Sequence, residues 1–128
     1  MYQIRTIQAQ DNPEIAQVIR DVSQEFGLAP ESGFAVADPI LDDLFSVYSK
    51  AHSQYWVVED NNGRIVGGGG LSPLQGDASI LEIQKMYFLP ELRGLGFAKK
   101  ILENTFAFSQ ENGFKSCYLE TTKELWQA

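Results

Sequence analysis

Residues 84–100 read QKMYFLPELRGLGFAKK. The apolar and aromatic residues of the first half predict a β-strand, and the second half predicts a helix that begins after Gly94 and Gly96. Glycine takes a positive φ readily and lets a ligand approach the backbone closely. The free N–H groups of a helix N-terminus attract anions, and Arg93 and Lys99 place positive charges beside them. The stretch therefore predicts an anion-binding turn between a strand and a helix.

Charge is distributed unevenly along this acidic chain. The whole sequence carries a formal net charge of −7 at pH 7. Between Lys85 and Lys100 there are four basic residues and one acidic residue, so this window is positive and the rest is more strongly negative. A polyanion needs an extended positive face, which argues against nucleic acid as a partner. The local positive charge suits a small phosphorylated ligand, although a solvated helix face would carry the same residues.

The rest of the sequence predicts a mixed sheet. Residues 2–8 read as a strand, and Asp11 and Glu14 mark the start of a helix with a periodic apolar face. A second helical pattern covers residues 40–48. The remaining strands are predicted over residues 55–58, 64–66, 80–89 and 116–121. The order β-α-α-β-β-β-α-β predicts an antiparallel meander followed by a right-handed parallel crossover, which is an α+β fold.

A run of four glycines, Gly67 to Gly70, follows the predicted hairpin turn. Glycines weaken a strand, so a run of four is unusual there. Close approach of another backbone or of a ligand would explain the run. A bulged or bent strand is the alternative, and the sequence leaves both open.

The turn resembles the acetyl-coenzyme A signature of the GNAT (GCN5-related) N-acetyltransferase family, Q/R-x-x-G-x-G/A. Here the signature reads RGLGFA over residues 93–98, and the resemblance covers essentially the whole chain. Dinucleotide-binding and P-loop glycine motifs do not fit the stretch. The resemblance implies one domain over residues 1–128, folded as a three-layer α/β/α sandwich. It also implies that the usual C-terminal helix and hairpin of the family are missing, so that the domain is incomplete at its C-terminus.

The resemblance implies acetyl-coenzyme A or coenzyme A (CoA) as the cosubstrate. In this family the fourth and fifth strands splay apart, and the fourth strand pairs with the pantetheine arm. Met86, Tyr87 and Phe88 would line that arm, and an N–H near Phe88 would polarise the thioester carbonyl, as an oxyanion hole does. The pyrophosphate would lie against the turn, which comprises Arg93, Gly94, Leu95, Gly96, Phe97, Ala98 and Lys99.

Acetylation of an amine needs a base, because a protonated amine cannot attack the thioester. The family uses a glutamate on the fourth or fifth strand, so the resemblance implies Glu82, Glu120 or both. Strand alternation places Glu82 on the same side as Gln84 and Met86 if no bulge intervenes. The alternative is that each glutamate is an ordinary strand-end carboxylate, solvated or paired with a lysine.

The family often uses a tyrosine beyond the fifth strand to protonate the departing thiolate. Tyr118 and Tyr87 are the substitutes within this sequence. One expected function is N-acetylation of a primary amine of a small molecule or a protein. The alternatives are a catalytically weak or inactive coenzyme A-binding module of regulatory or structural role, and a fragment without a function of its own. The exposed edge of the last strand predicts a homodimer.

Several features that the sequence lacks bear on the expected compartment, membrane association and metal binding. Cys117 is the only cysteine, which excludes an internal disulfide and is typical of a reducing, cytoplasmic compartment. No apolar run is long enough to span a membrane, and the N-terminal residues lack the apolar stretch of a signal peptide. No cluster of His, Cys, Asp or Glu predicts a metal site.

Overall fold

The computed structural model describes residues 2–25, 42–74, 76–114 and 117–119. The order of elements confirms the predicted order of strands and helices. In chain order they are β1 (Gln3–Thr6), α1 (Asn12–Glu25), α2 (Leu44–Val47), β2 (Gln54–Glu59), β3 (Ile65–Leu74), β4 (Asp77–Phe88), α3 (Phe97–Glu111) and β5 (Cys117–Leu119). Short 3-10 turns at Ala9–Asp11 and Pro90–Leu92 precede α1 and α3.

The strands form one sheet in the order β1-β2-β3-β4-β5. The pairs β1–β2, β2–β3 and β3–β4 are antiparallel, and the pair β4–β5 is parallel. A parallel neighbour requires a crossover, and α3 supplies it. This confirms the predicted meander and the predicted mixed sheet.

Helix α1 forms where its apolar residues recur at helical spacing. Ile15, Ile19 and Val22 are at most 2% exposed, and burying each such side chain contributes about 1.5–3 kcal/mol. The carboxylate of Glu14 accepts a hydrogen bond from the Ile65 N–H at 3.1 Å, which fixes the start of α1 against β3. The predicted second helix appears as the short α2, and the first residues predicted for it, 40 and 41, lie outside the described residues.

The helices cover both faces of the sheet, which gives the three layers. Helices α1 and α2 pack on one face, where Ile15, Leu44, Tyr48, Tyr55, Val57 and Tyr87 share a buried cluster. Helix α3 packs on the other face, where Val58, Val66, Phe88, Phe97 and Ile101 form a second cluster. No helix in the described part of the chain is long and apolar enough to cross a membrane.

The four glycines lie inside β3 and are fully enclosed. A Cβ atom on Gly67 would lie 2.6 Å from Phe88 Cδ1, and one on Gly69 would lie 2.6 Å from Met86 Cγ. Gly68 and Gly70 would meet the ring of Tyr55 at similar distances. The close approach considered from the sequence therefore comes from the chain's own neighbouring strands.

A β-bulge interrupts β4 beside these glycines. Gly68 pairs with Tyr87 and Gly70 with Gln84, so β4 contains one more residue than β3 between the two pairs. Lys85 lies within this interval and has a φ of 52°. The bulge shifts the alternation of side chains along the strand.

The bulge changes which side chains share a face. Gln84 contacts Tyr48 on the face that α1 and α2 cover. Met86 packs with the cluster beneath α3 on the opposite face. The expectation that Gln84 and Met86 share a side is therefore wrong, because its condition of an unbulged strand is not met.

Candidate active site

Three residue pairs join β4 and β5 within the described part of the chain. The registered pairs are Leu81 with Cys117, Glu82 with Tyr118 and Ile83 with Leu119, whereas β4 continues to Phe88. Among the described residues, no strand pairs with the backbone of residues 86–88 on the β5 side of β4. We call this backbone the free segment of β4, and it is the place where the resemblance expects strands four and five to splay apart.

The direction of the backbone groups supports an extended ligand there. The Leu89 N–H donates to the Val66 carbonyl at 2.9 Å, toward β3. Because successive backbone groups of a strand point to opposite edges, the Phe88 N–H points away from β3 and toward the β5 side of β4. A donor at this position is suitable for polarising a bound carbonyl oxygen.

The turn at residues 93–99, which we call the glycine turn, leads directly from β4 into α3. Gly94 and Gly96 have φ values of 80° and 85°, which side chains rarely tolerate. Gly96 is the N-cap of α3 and has no side chain to cap it. The first amides of a helix lack intrahelical acceptors, and Lys100 is the residue whose N–H donates back to the Gly96 carbonyl, at 3.1 Å. The N–H groups of Phe97, Ala98 and Lys99, at the start of α3, therefore have no acceptor within the helix.

Space around the glycine turn is open. A Cβ atom on Gly94 or Gly96 would meet no other atom within 4 Å. Leu95 is 51% exposed, and the side chains of Lys99 and Lys100 are exposed as well. Exposed N–H groups beside two lysines are suited to binding a phosphate or pyrophosphate group.

The Arg93 side chain is placed differently from the prediction, in which its positive charge lies next to the bound anion. Its guanidinium forms an ion pair with Glu25 at the end of α1, and Nη2 also donates to the Phe88 carbonyl at 3.0 Å. The hydrogen bond from Arg93 lowers the pKa of the Glu25 carboxyl. Arg93 therefore links the glycine turn to α1 and β4, with much of its charge offset by Glu25.

Glu82 lies opposite Tyr118 of β5, and a chain of two hydrogen bonds holds its carboxylate. Gln84 Nε2 donates to Glu82 Oε1 at 2.6 Å. The Tyr48 hydroxyl donates to Gln84 Oε1 at 2.8 Å, which fixes the orientation of the amide. Tyr48 is 3% exposed, so the arrangement is anchored in the core.

Neither Tyr48 nor Gln84 was recognised as a site residue from the sequence. Strand alternation places Gln84 beside Glu82, and that signal was available. Tyr48 follows α2 and is 36 residues away from Gln84, so no local pattern connects them. Burial raises the pKa of the Tyr48 phenol far above its ordinary value, and the neighbouring Glu82 raises it further. The phenol therefore remains a hydrogen-bond donor at neutral pH.

The other predicted residues have mixed outcomes. Tyr87 is 8% exposed and belongs to the cluster that α1 covers, and burial raises the pKa of its phenol. Glu120 lies outside the described residues, and the side chain of Tyr118 is outside the description too. Their roles stay predictions. In the described part of the chain, no group of three His, Cys, Asp or Glu residues is placed to hold a metal ion.

Comparison with known proteins places this geometry in context. Residues 15–126 match the model of the acetyltransferase (GNAT) family. The uncharacterized N-acetyltransferase YjgM of Escherichia coli (strain K12) is 54% identical over 126 residues, covering 98% of this chain and 75% of that protein.

Two solved structures share the fold. A GNAT-family acetyltransferase from Staphylococcus aureus Mu50 has a TM-score of 0.82 at 21% identity, covering 97% of this chain and 75% of that one. A predicted acetyltransferase from Clostridium acetobutylicum, solved with acetyl-CoA, has a TM-score of 0.75 at 20% identity, covering 98% and 84%. At these identities the likeness supports the arrangement of strands and helices.

Proposed function

This chain belongs to the acetyltransferase (GNAT) family, and we propose that it transfers the acetyl group of acetyl-CoA to a primary amine of a small molecule or a protein. One observation carries the proposal. The free segment of β4 is followed, after the short 3-10 turn at Pro90–Leu92, by the glycine turn at the start of α3. The proposed thioester and pyrophosphate sites would therefore adjoin along one stretch of backbone. Residues 1–128 act as one domain in this proposal.

The cosubstrate would extend along this backbone. The pantetheine arm pairs with the backbone of Met86, Tyr87 and Phe88, as an added strand does. The pyrophosphate lies against the N–H groups of the glycine turn, where Lys99 adds charge. The solved acetyltransferase from Clostridium acetobutylicum, which carries acetyl-CoA, supports this assignment. No metal ion takes part.

Glu82 is the base that the described geometry favours. Gln84 occupies Oε1 of Glu82, so Oε2 is the oxygen that receives the proton of the ammonium group. The neutral amine then attacks the thioester carbonyl carbon, and the Phe88 N–H stabilises the resulting oxyanion. The nitrogen of the tetrahedral intermediate then loses a second proton to solvent, and when the C–S bond breaks, coenzyme A leaves as a thiolate that takes up a proton. Tyr118 and Tyr87 remain the predicted donors for that last step, with solvent as the alternative.

Glu120 remains a rival for the role of base. Glu82→Gln and Glu120→Gln variants separate the two, because each removes one carboxylate and preserves the shape of the side chain. We expect the Glu82 variant to lose more activity. A larger loss in the Glu120 variant would assign the role of base to Glu120.

The experiment that tests the proposal measures binding and turnover together. Acetyl-CoA at about 100 times its dissociation constant stabilises a protein by roughly 2.7 kcal/mol, which raises the melting temperature on the order of ten degrees. Release of free thiol is then followed with a panel of primary amines. A thermal shift without thiol release would favour the inactive coenzyme A-binding module, and the absence of both would contradict the proposal.

A homodimer and a cytoplasmic location are the finer parts of the proposal. Among the described residues, β5 is the last strand of the sheet, and an uncovered strand edge recruits a second chain. The single cysteine suits a reducing compartment. Light scattering over a dilution series tests the dimer, since a mass that stays near 14.3 kDa would show a monomer.

A further inference from the structure

A tyrosine from β2 reaches across the sheet to β4. Tyr55 pairs with Gly70 on β3, yet its hydroxyl donates to the Lys85 carbonyl on β4 at 2.8 Å. The side chain is fully buried. The ring therefore spans the intervening strand and bonds to the second strand away from its own.

The glycines of β3 make this crossing possible. A Cβ atom on Gly68 would lie 2.7 Å from Tyr55 Cε1 and 3.0 Å from the hydroxyl oxygen. A Cβ atom on Gly70 would lie 2.6 Å from Tyr55 Cδ2. Real Cβ atoms do not approach other atoms so closely, so any side chain at either position would displace the ring.

The carbonyl that Tyr55 binds belongs to the bulge. Lys85 has a φ of 52°, a conformation that is uncommon and strained for a residue with a side chain. A strained backbone persists only where its surroundings hold it. The Tyr55 hydroxyl provides such a restraint, and it acts on the residue that carries the strain.

The bulge in turn sets the free segment of β4. It shifts the alternation of Met86, Tyr87 and Phe88, so that Met86 packs beneath α3 and the Phe88 N–H points away from β3. We propose that Tyr55 is a positioning residue that holds the β4 bulge and thereby aligns the backbone of residues 86–88 with the pantetheine arm. This inference rests on the proposed function of that segment.

Burial makes the restraint insensitive to pH. The pKa of the Tyr55 phenol is raised well above its ordinary value, first by burial and then by Tyr48 and Tyr87. Tyr48, whose ring centroid is 5.1 Å away, donates its own hydrogen bond to Gln84. The Tyr55 hydroxyl therefore stays protonated and continues to donate throughout the working range of the protein.

The test compares two ligands in a Tyr55→Phe variant. Coenzyme A contacts the free segment and the glycine turn, whereas ADP supplies a pyrophosphate for the glycine turn alone. We expect coenzyme A to bind about tenfold more weakly and ADP to bind as before, since one hydrogen bond is lost. An equal loss for both ligands, or no loss for either, would overturn the proposal.

Thr105→Val is the matched control. Its hydroxyl is also fully buried and donates to one carbonyl, that of Leu102 at 2.7 Å, within α3. Removing it costs a comparable hydrogen bond that lies within α3 and involves no residue of the bulge. Neither ligand should change its affinity in this variant, and a selective loss of coenzyme A binding here would contradict the assignment to Tyr55.

A double substitution tests the link to the strained backbone. Glycine adopts a positive φ without strain. In a Lys85→Gly variant the bulge should therefore form without the hydrogen bond from the Tyr55 hydroxyl. In that background Tyr55→Phe should weaken coenzyme A binding less than about threefold, because the bulge forms unaided. A tenfold loss in both backgrounds would show that Tyr55 acts by another route.

Hydrogen exchange separates this inference from the proposed function. In the ligand-free Tyr55→Phe protein, those amides of residues 84–88 that point toward β3 should exchange at least about tenfold faster, while the amides of α3 remain unchanged. If the unmodified protein binds no coenzyme A, the proposed function fails, yet the exchange still reports on the bulge. Unchanged exchange over residues 84–88 would refute the restraint itself.

Discussion

The guanidinium of Arg93 and the carboxylate of Glu25 meet in a two-point ion pair. Nη2 donates to Oε1 at 2.7 Å and Nη1 to Oε2 at 2.5 Å, between residues 68 positions apart. The pair ties the end of α1 to the glycine turn. It also places a negative charge close to a site that is proposed to bind pyrophosphate.

Replacing that negative charge should tighten binding of the cosubstrate. Glu25→Gln keeps an oxygen that accepts a hydrogen bond from Arg93 and removes the charge that offsets it. We expect coenzyme A to bind severalfold more tightly at low ionic strength, with the gain shrinking as salt screens the charges. Titration calorimetry at two salt concentrations measures this. Weaker binding in the variant would mean that Arg93 serves only to hold the turn.

The glycine turn should be sensitive to side chains for a reason other than folding. Gly96→Val adds strain at a φ of 85° and places bulk in the open space where a ligand would lie. Gly63→Val adds comparable strain at a φ of 79°, also in open space, but in the turn between β2 and β3. Both variants should melt earlier, and only the Gly96 variant should lose its thermal shift with acetyl-CoA. Equal shifts in the two variants would exclude the glycine turn as the pyrophosphate site.

The three residues Tyr48, Gln84 and Glu82 should affect turnover more than binding. Glu82→Gln should lower kcat roughly 10²–10⁴-fold, the usual contribution of a positioned base. The loss should diminish at high pH, where the amine is already neutral. Tyr48→Phe frees the Gln84 amide to rotate, so kcat should fall about fivefold. Steady-state kinetics with acetyl-CoA varied would show an unchanged KM in both variants, and a changed KM would point to a structural effect.

The ionisation of Asp11 should determine how the free energy of unfolding falls at acid pH. Burial raises the pKa of its carboxyl, but hydrogen bonds from Arg5 and the Gln8 N–H, with the Arg5 charge, outweigh burial and lower it. A lowered pKa in the folded state stabilises the protein above the pKa of the unfolded chain, and this stability is lost as the pH falls through the folded value. Asp11→Asn should therefore cost about 2 kcal/mol near neutral pH and flatten the decline below about pH 4. Thermal unfolding across this range measures both effects, and Asp21→Asn on the exposed face of α1 is the control that should leave the decline intact.

The local features of the fold could be predicted from the sequence. The apolar spacing of α1 and the glycines before α3 depend on near neighbours, and the predicted helix α1 and the predicted start of a helix after Gly96 are both confirmed. The role of residues 93–98 in binding the cosubstrate stays a prediction. The contacts that the sequence did not reveal are long-range ones, such as that of Tyr48 with Gln84 and that of Tyr55 with Lys85. The bulge had no sequence signal either, because a lysine is a poor indicator of a positive φ.

The glycine run in β3 has a consequence for how the sheet assembles. From Gly67 to Gly70 this strand brings no side chains of its own, and flexible glycines lose the most backbone entropy when they become ordered. An isolated peptide of residues 54–74 should therefore show no hairpin by NMR, and a well-populated hairpin would contradict this. In the whole chain, the side chains of Tyr55 on β2 and of Met86 and Phe88 on β4 fill the space that side chains of β3 would otherwise occupy. The centre of the sheet is consequently ordered by its two neighbours together, and folding of β2, β3 and β4 becomes a single cooperative event.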